Sequence, residues 1–311
     1  MLPHDLSSLI KKTAASSGFF DCGIAKAESL VQDAERLKRW LDAGYHAEMG
    51  YMERNREKRI NPQLLVEGAK SVIVLLYNYF PKKEISSGGL KISKYAYGTD
   101  YHDVIRRKLN VFCDELRKID ENVIARGFVD SAPMLERAWA AKAGLGWIGK
   151  NSMLITRRQG SFFFIAEILT NLEPEYNESF GGNYCGDCSR CIDACPTQAI
   201  VSHGVIDAGR CISYLTIENK GEISESFRGK NESWIFGCDI CQDVCPWNRF
   251  SPVHSEPEFV PDEKLTNMKT IDWLNLDVTK FGQMFKHSAV KRSKYSGLKR
   301  NIKFVTGFDN Q

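Results

Sequence analysis

The chain has 311 residues, 43% hydrophobic and 26% charged, with a formal net charge of +3; this is ordinary globular composition, enough for one large or two medium domains with a sizeable core. Its longest apolar runs, SVIVLLY and FFFIAEIL, are far too short to span a bilayer, and MLPHDLSSLIKK has no apolar stretch behind a basic start, so a cytoplasmic protein with no membrane insertion is expected. Ten cysteines without an export signal point to reduced, metal-bound thiols rather than disulfides, and the small net charge neither demands nor excludes a nucleic-acid partner.

From the N-terminus, apolar residues recur at helical spacing at Leu6, Leu9 and Ile10, at Leu30, Ala34, Leu37 and Leu41, and at Ile105, Leu109, Phe112 and Leu116. Strand-like runs separate them at SVIVLLYNYF, VIARGFVD, SMLIT and SFFFIAEIL. The alternation predicts an α/β (α+β) domain over residues 1–180. A glycine and polar stretch, YNESFGGNY, leads into a cysteine-rich module at 181–250. The 251–311 extension opens with the loop-like SPVHSEPEFVPDEK and ends in a basic segment. There Lys286, Lys291, Arg292, Lys294, Lys299, Arg300 and Lys303 are interleaved with Tyr295 and Phe304, a pattern that suits an RNA backbone and equally a solvated helix face.

One octapeptide, GLGWIGKN at 144–151, matches both G-x-G-x-x-G and most of a P-loop, with Asn151 where Ser or Thr belongs. Either pattern has meaning only between a strand and the first turn of a helix. Here the order is reversed: the helix-like PMLERAWAAKA precedes the glycines and the strand-like SMLIT follows them. Nucleotide binding is therefore set aside.

Eight cysteines fall between 185 and 245. CGDCSRCIDACP has the spacing C-x2-C-x2-C-x3-C-P, in which three cysteines bind one [4Fe–4S] cluster and the fourth serves a second. Zinc also uses C-x2-C pairs but has no use for a third cysteine at that spacing followed by Cys-Pro. The second run, CDICQDVCP, is one cysteine short, and Cys211 upstream is the natural replacement. Crossing the fourth ligands gives Cys185, Cys188, Cys191 and Cys245 on one cluster, with Cys195, Cys211, Cys238 and Cys241 on the other. Cys22 and Cys113 are left over, and Cys113 lies in a helical pattern that makes it a packing residue.

Clusters pass single electrons, so a second redox centre is expected in the larger domain. DYHDVI begins like the D-x-H-x-x-G loop that supplies a lower histidine ligand to cobalamin, but Ile105 replaces the glycine, and His102 reads as structural or as a polar cap.

EKRINPQLL, GAKSVIVLLYNYFP, YAYGTDYHDVIRRKL, VDSAPMLERAWAAKAGLGWIGKNSMLI and the cysteine pattern together resemble the epoxyqueuosine reductase family, a relative of the corrinoid reductive dehalogenases, over nearly the whole chain. The resemblance implies a cobalamin-binding α/β domain followed by a two-[4Fe–4S] ferredoxin-like domain. It implies reduction of epoxyqueuosine to queuosine at the wobble position of tRNA, with no protein lower ligand to the cobalt. Electrons would come from a low-potential flavodoxin- or ferredoxin-type donor, and a monomer is expected. Many relatives continue into a C-terminal helical-repeat domain where this chain stops at Gln311, so tRNA affinity is expected to rest more on the basic tail, or to be weaker.

By the same resemblance Asp130 is the proton donor, a role that suits a carboxyl whose pKa is raised by desolvation beside a macrocycle. From the residues alone, an aspartate before Ser-Ala-Pro reads as a helix cap. The corrin pocket would be formed by Arg59, Asp130, Gly149, Lys150, Leu154 and Ile165, with Ile212 and the run Gly237, Cys238, Asp239, Ile240 facing the ring from the cluster side. Taken singly, Arg59 and Lys150 read as surface salt bridges. Lys220 corresponds to a tRNA-proximal position. The rival readings are a corrinoid reductive dehalogenase and a ferredoxin-type electron-transfer protein without corrin.

Overall fold

Residues 71–76 carry no charged side chain, so a strand made from them must be covered on both faces. In the computed structural model, which describes residues 1–85 and 89–308, this run forms β2 (Ser71–Asn78), buried along almost its whole length. It lies in a four-stranded sheet with β1 (Asp21–Lys26), β3 (Ala125–Phe128) and β4 (Phe163–Thr170), in the order β1-β2-β4-β3. Every neighbouring pair is antiparallel, with Val74 opposite Gly23 and Glu167, and Glu167 opposite Phe128. The alternation of helices and strands suggested α/β or α+β, and the antiparallel sheet is of the α+β kind. The strands still read as continuous apolar runs because helices cover both faces, which is the usual signature of a parallel sheet.

Helices α1 (Pro3–Ser16) and α3 (Tyr101–Arg117) pack on one face through Leu6, Ile10, Val104, Ile105, Leu109 and Phe112, against Ile73, Leu75, Phe164, Ala166 and Ile168. Asp100 caps α3, its carboxylate accepting from the His102 amide, and Cys113 is buried in this layer. Helix α4 (Glu136–Lys142) covers the opposite face with Trp139 and Ala140 against Val72, Val74, Leu76, Phe163 and Leu169. Helix α2 (Val31–Asp42) lies outside, its Trp40 indole donating to the Ile206 carbonyl.

The C-terminal segment shares the first of these cores, through Phe259, Trp273, Phe285, Val290, Leu298 and Ile302. Helix α6 (Lys294–Thr306) packs on α5 (Ile212–Ile217) and on the strand Trp234–Phe236, which pairs in parallel with Lys91–Ile92 and leads directly into Gly237. Asn301 locks this junction: fully buried, its amide donates to the carbonyls of Thr216 at 2.7 Å and Ile235 at 2.9 Å. Asn301→Ala leaves two buried carbonyls unpaired and is expected to cost ~2–4 kcal/mol. Thermal unfolding should show a midpoint lowered by about 5 °C or more.

Much of the basic tail is consumed by the fold. Lys299 Nζ donates to the Leu274 and Leu276 carbonyls, and Arg300 to those of Leu215, Asn219 and Gly221. Among the described residues, no helix is long and apolar enough to cross a membrane.

Candidate functional site

The two cysteine runs fold alike. Each ends in a short helix, Arg190–Asp193 or Ile240–Asp243, followed by Cys-Pro, and the two helices pack together. Cys185, Cys188, Cys191 and Cys245 line one cavity of about 210 Å³. Cys195, Cys211, Cys238 and Cys241 form a second group: Cys211 feels the charge of Cys195, Cys238 those of Cys211 and Cys195, and Cys241 those of Cys211 and Cys238. Cys241 also feels Cys191, so the groups are neighbours. Among the described residues no three His, Cys, Asp or Glu side chains are arranged to hold a single ion; a cubane instead keeps its thiolates apart at the corners of the cluster.

Burial, together with the nearby thiols, pushes Cys191 up to about 11 and Cys241 well above its ordinary range. Such groups become thiolates when cationic iron is present. Backbone N–H groups are already aimed at sulfur: those of Ser213 and Tyr214 at Cys211, Ile240 at Cys238, and Trp247 and Asn248 at Cys245. This donor set fits iron–sulfur clusters.

The groups differ in depth. Beside the first, Gly186, Asp187, Ser189 and Arg190 are exposed; beside the second, Ile212, Gly237 and Asp239 are buried. The buried turn is fastened from three sides. The Gly237 amide donates to Thr216 Oγ1 at 2.9 Å, the Lys94 amide donates to Asp239 Oδ2 at 2.8 Å, and the buried Lys94 ammonium lies 2.7 Å from Asp243 Oδ1. Burial raises Asp239 to about 6 despite this lysine.

GLGWIGKN is a hairpin, Trp147–Ile148 pairing with Leu154–Ile155. A Cβ on Gly146 would meet the Ile155 carbonyl oxygen at 2.2 Å, and one on Gly149 the Ile155 side chain at 2.5 Å. Gly146 and Gly149 therefore serve close packing within the hairpin, and Gly144, at φ +78°, packs on the Glu178 carbonyl instead. Asn151 Nδ2 donates to the Cys241 carbonyl, and Lys150, with 6% exposure, lines the first cysteine cavity. Among the described residues it forms no ion pair.

Asp130 follows β3 with φ +45°, a left-handed conformation that aspartate tolerates better than most residues. Its amide donates to Glu136 Oε1 at 2.7 Å, and Tyr101 Oη donates to its Oδ2 at 2.6 Å. Tyr101 is itself held in a stack, 4.1 Å from both the Phe164 and His102 rings. His102 Nε2 lies 3.8 Å from Asp130 Oδ2, and its Nδ1 lies 2.7 Å from the Asp100 carboxylate. One reading of the residues alone is thereby corrected: Asp130 is not the cap of α4, whose first turn is preceded by Leu135. His102 lies in the first turn of its own helix, as read, and also near Asp130.

The Asp130 side chain is 63% exposed, and the desolvated acids stand behind it. Glu167, on β4, is fully buried with neither carboxyl oxygen hydrogen-bonded among the described residues; burial, then the charges of Glu136 and Asp130, raise it well above the usual range. Glu136 is raised to about 8 by burial and by Asp130. A raised carboxyl favours folding most below about 4.5, its unfolded value, and that contribution is lost as pH climbs through 8. Glu136→Gln should therefore flatten the fall in stability between those limits, by ~1–2 kcal/mol after allowance for partial solvation. Denaturant melts across that range, compared with the unsubstituted protein, test this.

Of the residues expected at the corrin and tRNA, only Arg59 is linked to Asp130, through Tyr51, which feels the charges of both. Arg59 is buried, one nitrogen donating to the Tyr51 carbonyl at 2.8 Å and its Nε without a partner among the described residues. Ile165 is the one residue of β4 that is not fully buried. Leu154 and Ile212 are buried, and Ile240 is half-buried. Arg292 holds Glu218 through two bonds of 3.0 and 3.1 Å and feels the charges of Tyr51 and Asp130, while Lys220, two residues beyond Glu218, is exposed.

A sheet that presents a fixed aspartate at its edge, joined to paired cysteine cradles, defines an iron–sulfur oxidoreductase. Residues 184–248 match the family described as 4Fe-4S double cluster binding domain, and residues 59–131 match epoxyqueuosine reductase QueG, DUF1730. The epoxyqueuosine reductase of Cellulophaga algicola is 52% identical, covering 96% of this chain and 97% of its own. That of Leadbetterella byssophila is 53% identical, covering 97% and 99%. A crystal structure of epoxyqueuosine reductase with an epoxyqueuosine-modified tRNA-Tyr stem loop superposes with a TM-score of 0.90 at 32% identity, over 97% of this chain and 81% of that one. A Bacillus subtilis epoxyqueuosine reductase, with its aspartate catalytic loop swung out of the active site, gives 0.89 at 31% over the same shares. This chain belongs to the epoxyqueuosine reductase family.

Proposed function

We propose that this protein reduces epoxyqueuosine in tRNA to queuosine, with two [4Fe–4S] clusters, a bound cobalamin and Asp130 as proton donor. Removing the epoxide oxygen takes two electrons and two protons: both carbon–oxygen bonds break, a carbon–carbon double bond forms, and water leaves. The observation that carries the reading is the state of Asp130, exposed to an incoming substrate yet pinned through its amide by Glu136 and through its carboxylate by Tyr101. Those are the contacts that a loop movement like that of the Bacillus subtilis enzyme would break.

Cobalamin would supply the strongly reducing centre. Arg59 has a buried, unpartnered Nε–H to offer one of its polar groups, and Ile165 offers accessible apolar surface to a ring, so the residues fit. Gly149, Lys150 and Leu154 would border it, with Ile212 and the Gly237–Ile240 backbone between it and the inner cysteine group. Asp130 would give its proton to the departing oxygen, and Glu136, raised to about 8, holds a proton near neutral pH from which it could be recharged. Lys220 and Arg292 would meet tRNA phosphates. The test is anaerobic reconstitution, incubation with tRNA bearing epoxyqueuosine, and mass analysis of the nucleosides. Loss of one oxygen is expected; unchanged epoxyqueuosine from fully loaded, reducible protein overturns the reading.

A further inference from the structure

Lys94 belongs to the larger domain, yet its side chain ends among residues of the inner cysteine loop. The Ser93 amide, just before it, donates to the Phe236 carbonyl at 2.9 Å, which brings the turn Lys94–Ala96 against Gly237. The Lys94 side chain is 3% exposed and meets three carboxylates: Asp243 at 2.7 Å, Glu84 at 3.0 Å and Asp239 at 3.7 Å. Its ammonium also lies 5.3 Å from the centre of the Phe162 ring. Asp239 and Asp243 stand on either side of Cys241 in the chain, and the Asp239 charge is felt at both Cys238 and Cys241. Burial works against a charged lysine here, but Asp239, then Asp243 and Glu84, hold its pKa above the ordinary lysine value. The cation is permanent.

A buried cation in this place answers a difficulty in the electron path. Each cluster gains one negative charge when it is reduced, and that charge costs more where water is excluded. The inner group is the buried one, and its loop adds two carboxylates of its own. Burial and these carboxylates together would make the inner cluster the harder one to reduce, so electrons would stop at the outer group. Glu84 is mostly exposed and screened by solvent, whereas Lys94 and Asp239 are buried together. The lysine therefore offsets Asp239 directly, and without it both aspartates would stand uncompensated beside the cysteines. Fastening the loop needs no such charge. The Gly237 amide already donates to Thr216 Oγ1, the Ser161 hydroxyl to Gln242 Oε1 at 2.9 Å, and Asn248 Nδ2 to the Gln242 carbonyl at 2.6 Å.

We propose that Lys94 tunes the inner cluster, its charge raising the reduction potential there enough for an electron to pass inward from the outer one. The outer cluster loses one electron and the inner cluster gains it; no bond is made or broken. This role rests on the two-cluster reading and not on the tRNA chemistry.

The test is a dye-mediated redox titration of the anaerobically reconstituted protein, followed by low-temperature electron paramagnetic resonance, with Cys211→Ser and Cys245→Ser assigning the two signals. In the unsubstituted protein the inner midpoint should lie at or above the outer one. Lys94→Met and Lys94→Arg are then compared, both in an Asp239→Asn background so that a proton gained at that carboxyl cannot mask the lost charge. Relative to Asp239→Asn alone, Lys94→Met is expected to lower the inner reduction equilibrium ~10-fold or more, a midpoint about 59 mV more negative for one electron. The outer midpoint and the iron content should not change, and Lys94→Arg should keep most of the original value. An unmoved inner midpoint in iron-replete Lys94→Met overturns the proposal. So does a fall as large in Lys94→Arg, which would make the side chain a structural clamp. Should Lys94→Met shed iron, the order of the two midpoints in the unsubstituted protein decides, and an inner cluster below the outer one overturns it. Protein that loads one cluster or none overturns the two-cluster reading and this role with it, whereas two clusters with an unmoved midpoint overturn this role alone.

Discussion

Asp130→Asn, with clusters and corrinoid fully loaded, is expected to lower turnover about 10²–10⁴-fold, the usual contribution of a positioned proton donor. The substitution is informative because it leaves the loop intact. Asparagine is among the few residues that tolerate the left-handed φ of +45° found here, and its side-chain oxygen can still accept from Tyr101. The amide bond to Glu136 involves only backbone at position 130, so it persists. What disappears is the transferable proton. Tyr101→Phe makes the complementary change, leaving the acid and removing one of its two anchors, and should cost far less. Nucleoside mass analysis over a time course, with iron and corrinoid measured on the same samples, separates these outcomes. Turnover by Asp130→Asn at the unsubstituted rate would remove Asp130 from the chemistry.

What could be read from the sequence depended on how locally each feature is encoded. Helix α3 and strands β2 and β4 were legible because their periodicity or unbroken apolarity lies within one short segment. Strand direction was not, since an apolar run covered on both faces looks the same in either orientation. SMLIT read as a strand but contributes only Leu154–Ile155, because its partner is the two-residue edge Trp147–Ile148 inside the glycine loop. The cysteines announced themselves by spacing. The surroundings of Asp130 did not: Tyr101, Glu136 and Glu167 come from a helix start, another helix start and a mid-strand position, which only the fold brings together. One signal was available, since Glu167 is the lone charge in the run Phe162–Thr170, and a carboxyl embedded in a covered strand must be neutralised or serve a purpose. The basic tail, legible as an RNA surface or equally as a solvated helix face, hid a third use, since Lys299 and Arg300 close carbonyls within the protein.

Cys211→Ser should be the more severe lesion. Cys211 lies outside both cysteine-dense runs, at the N-cap of α5, where the first-turn amides of Ser213 and Tyr214 point at its sulfur. A serine hydroxyl can accept from those amides but is a poor ligand for iron. The inner cluster is then expected to be lost and iron to fall by ~4 per chain. The outer cysteine group does not include Cys211, so its cluster should still assemble and still bleach with dithionite. Turnover, however, should drop below about 1%, because the buried group that adjoins Gly237 and Asp239 would no longer carry an electron inward. Cys113→Ser supplies the control: that thiol is buried between α3 and the sheet, so replacing it should lower stability and leave iron untouched. Cys245→Ser should mirror Cys211→Ser, emptying the outer cluster instead and abolishing reduction by a protein carrier. Iron analysis and low-temperature electron paramagnetic resonance distinguish the two, and a full iron complement in Cys211→Ser would break the crossed ligand assignment on which the electron path depends.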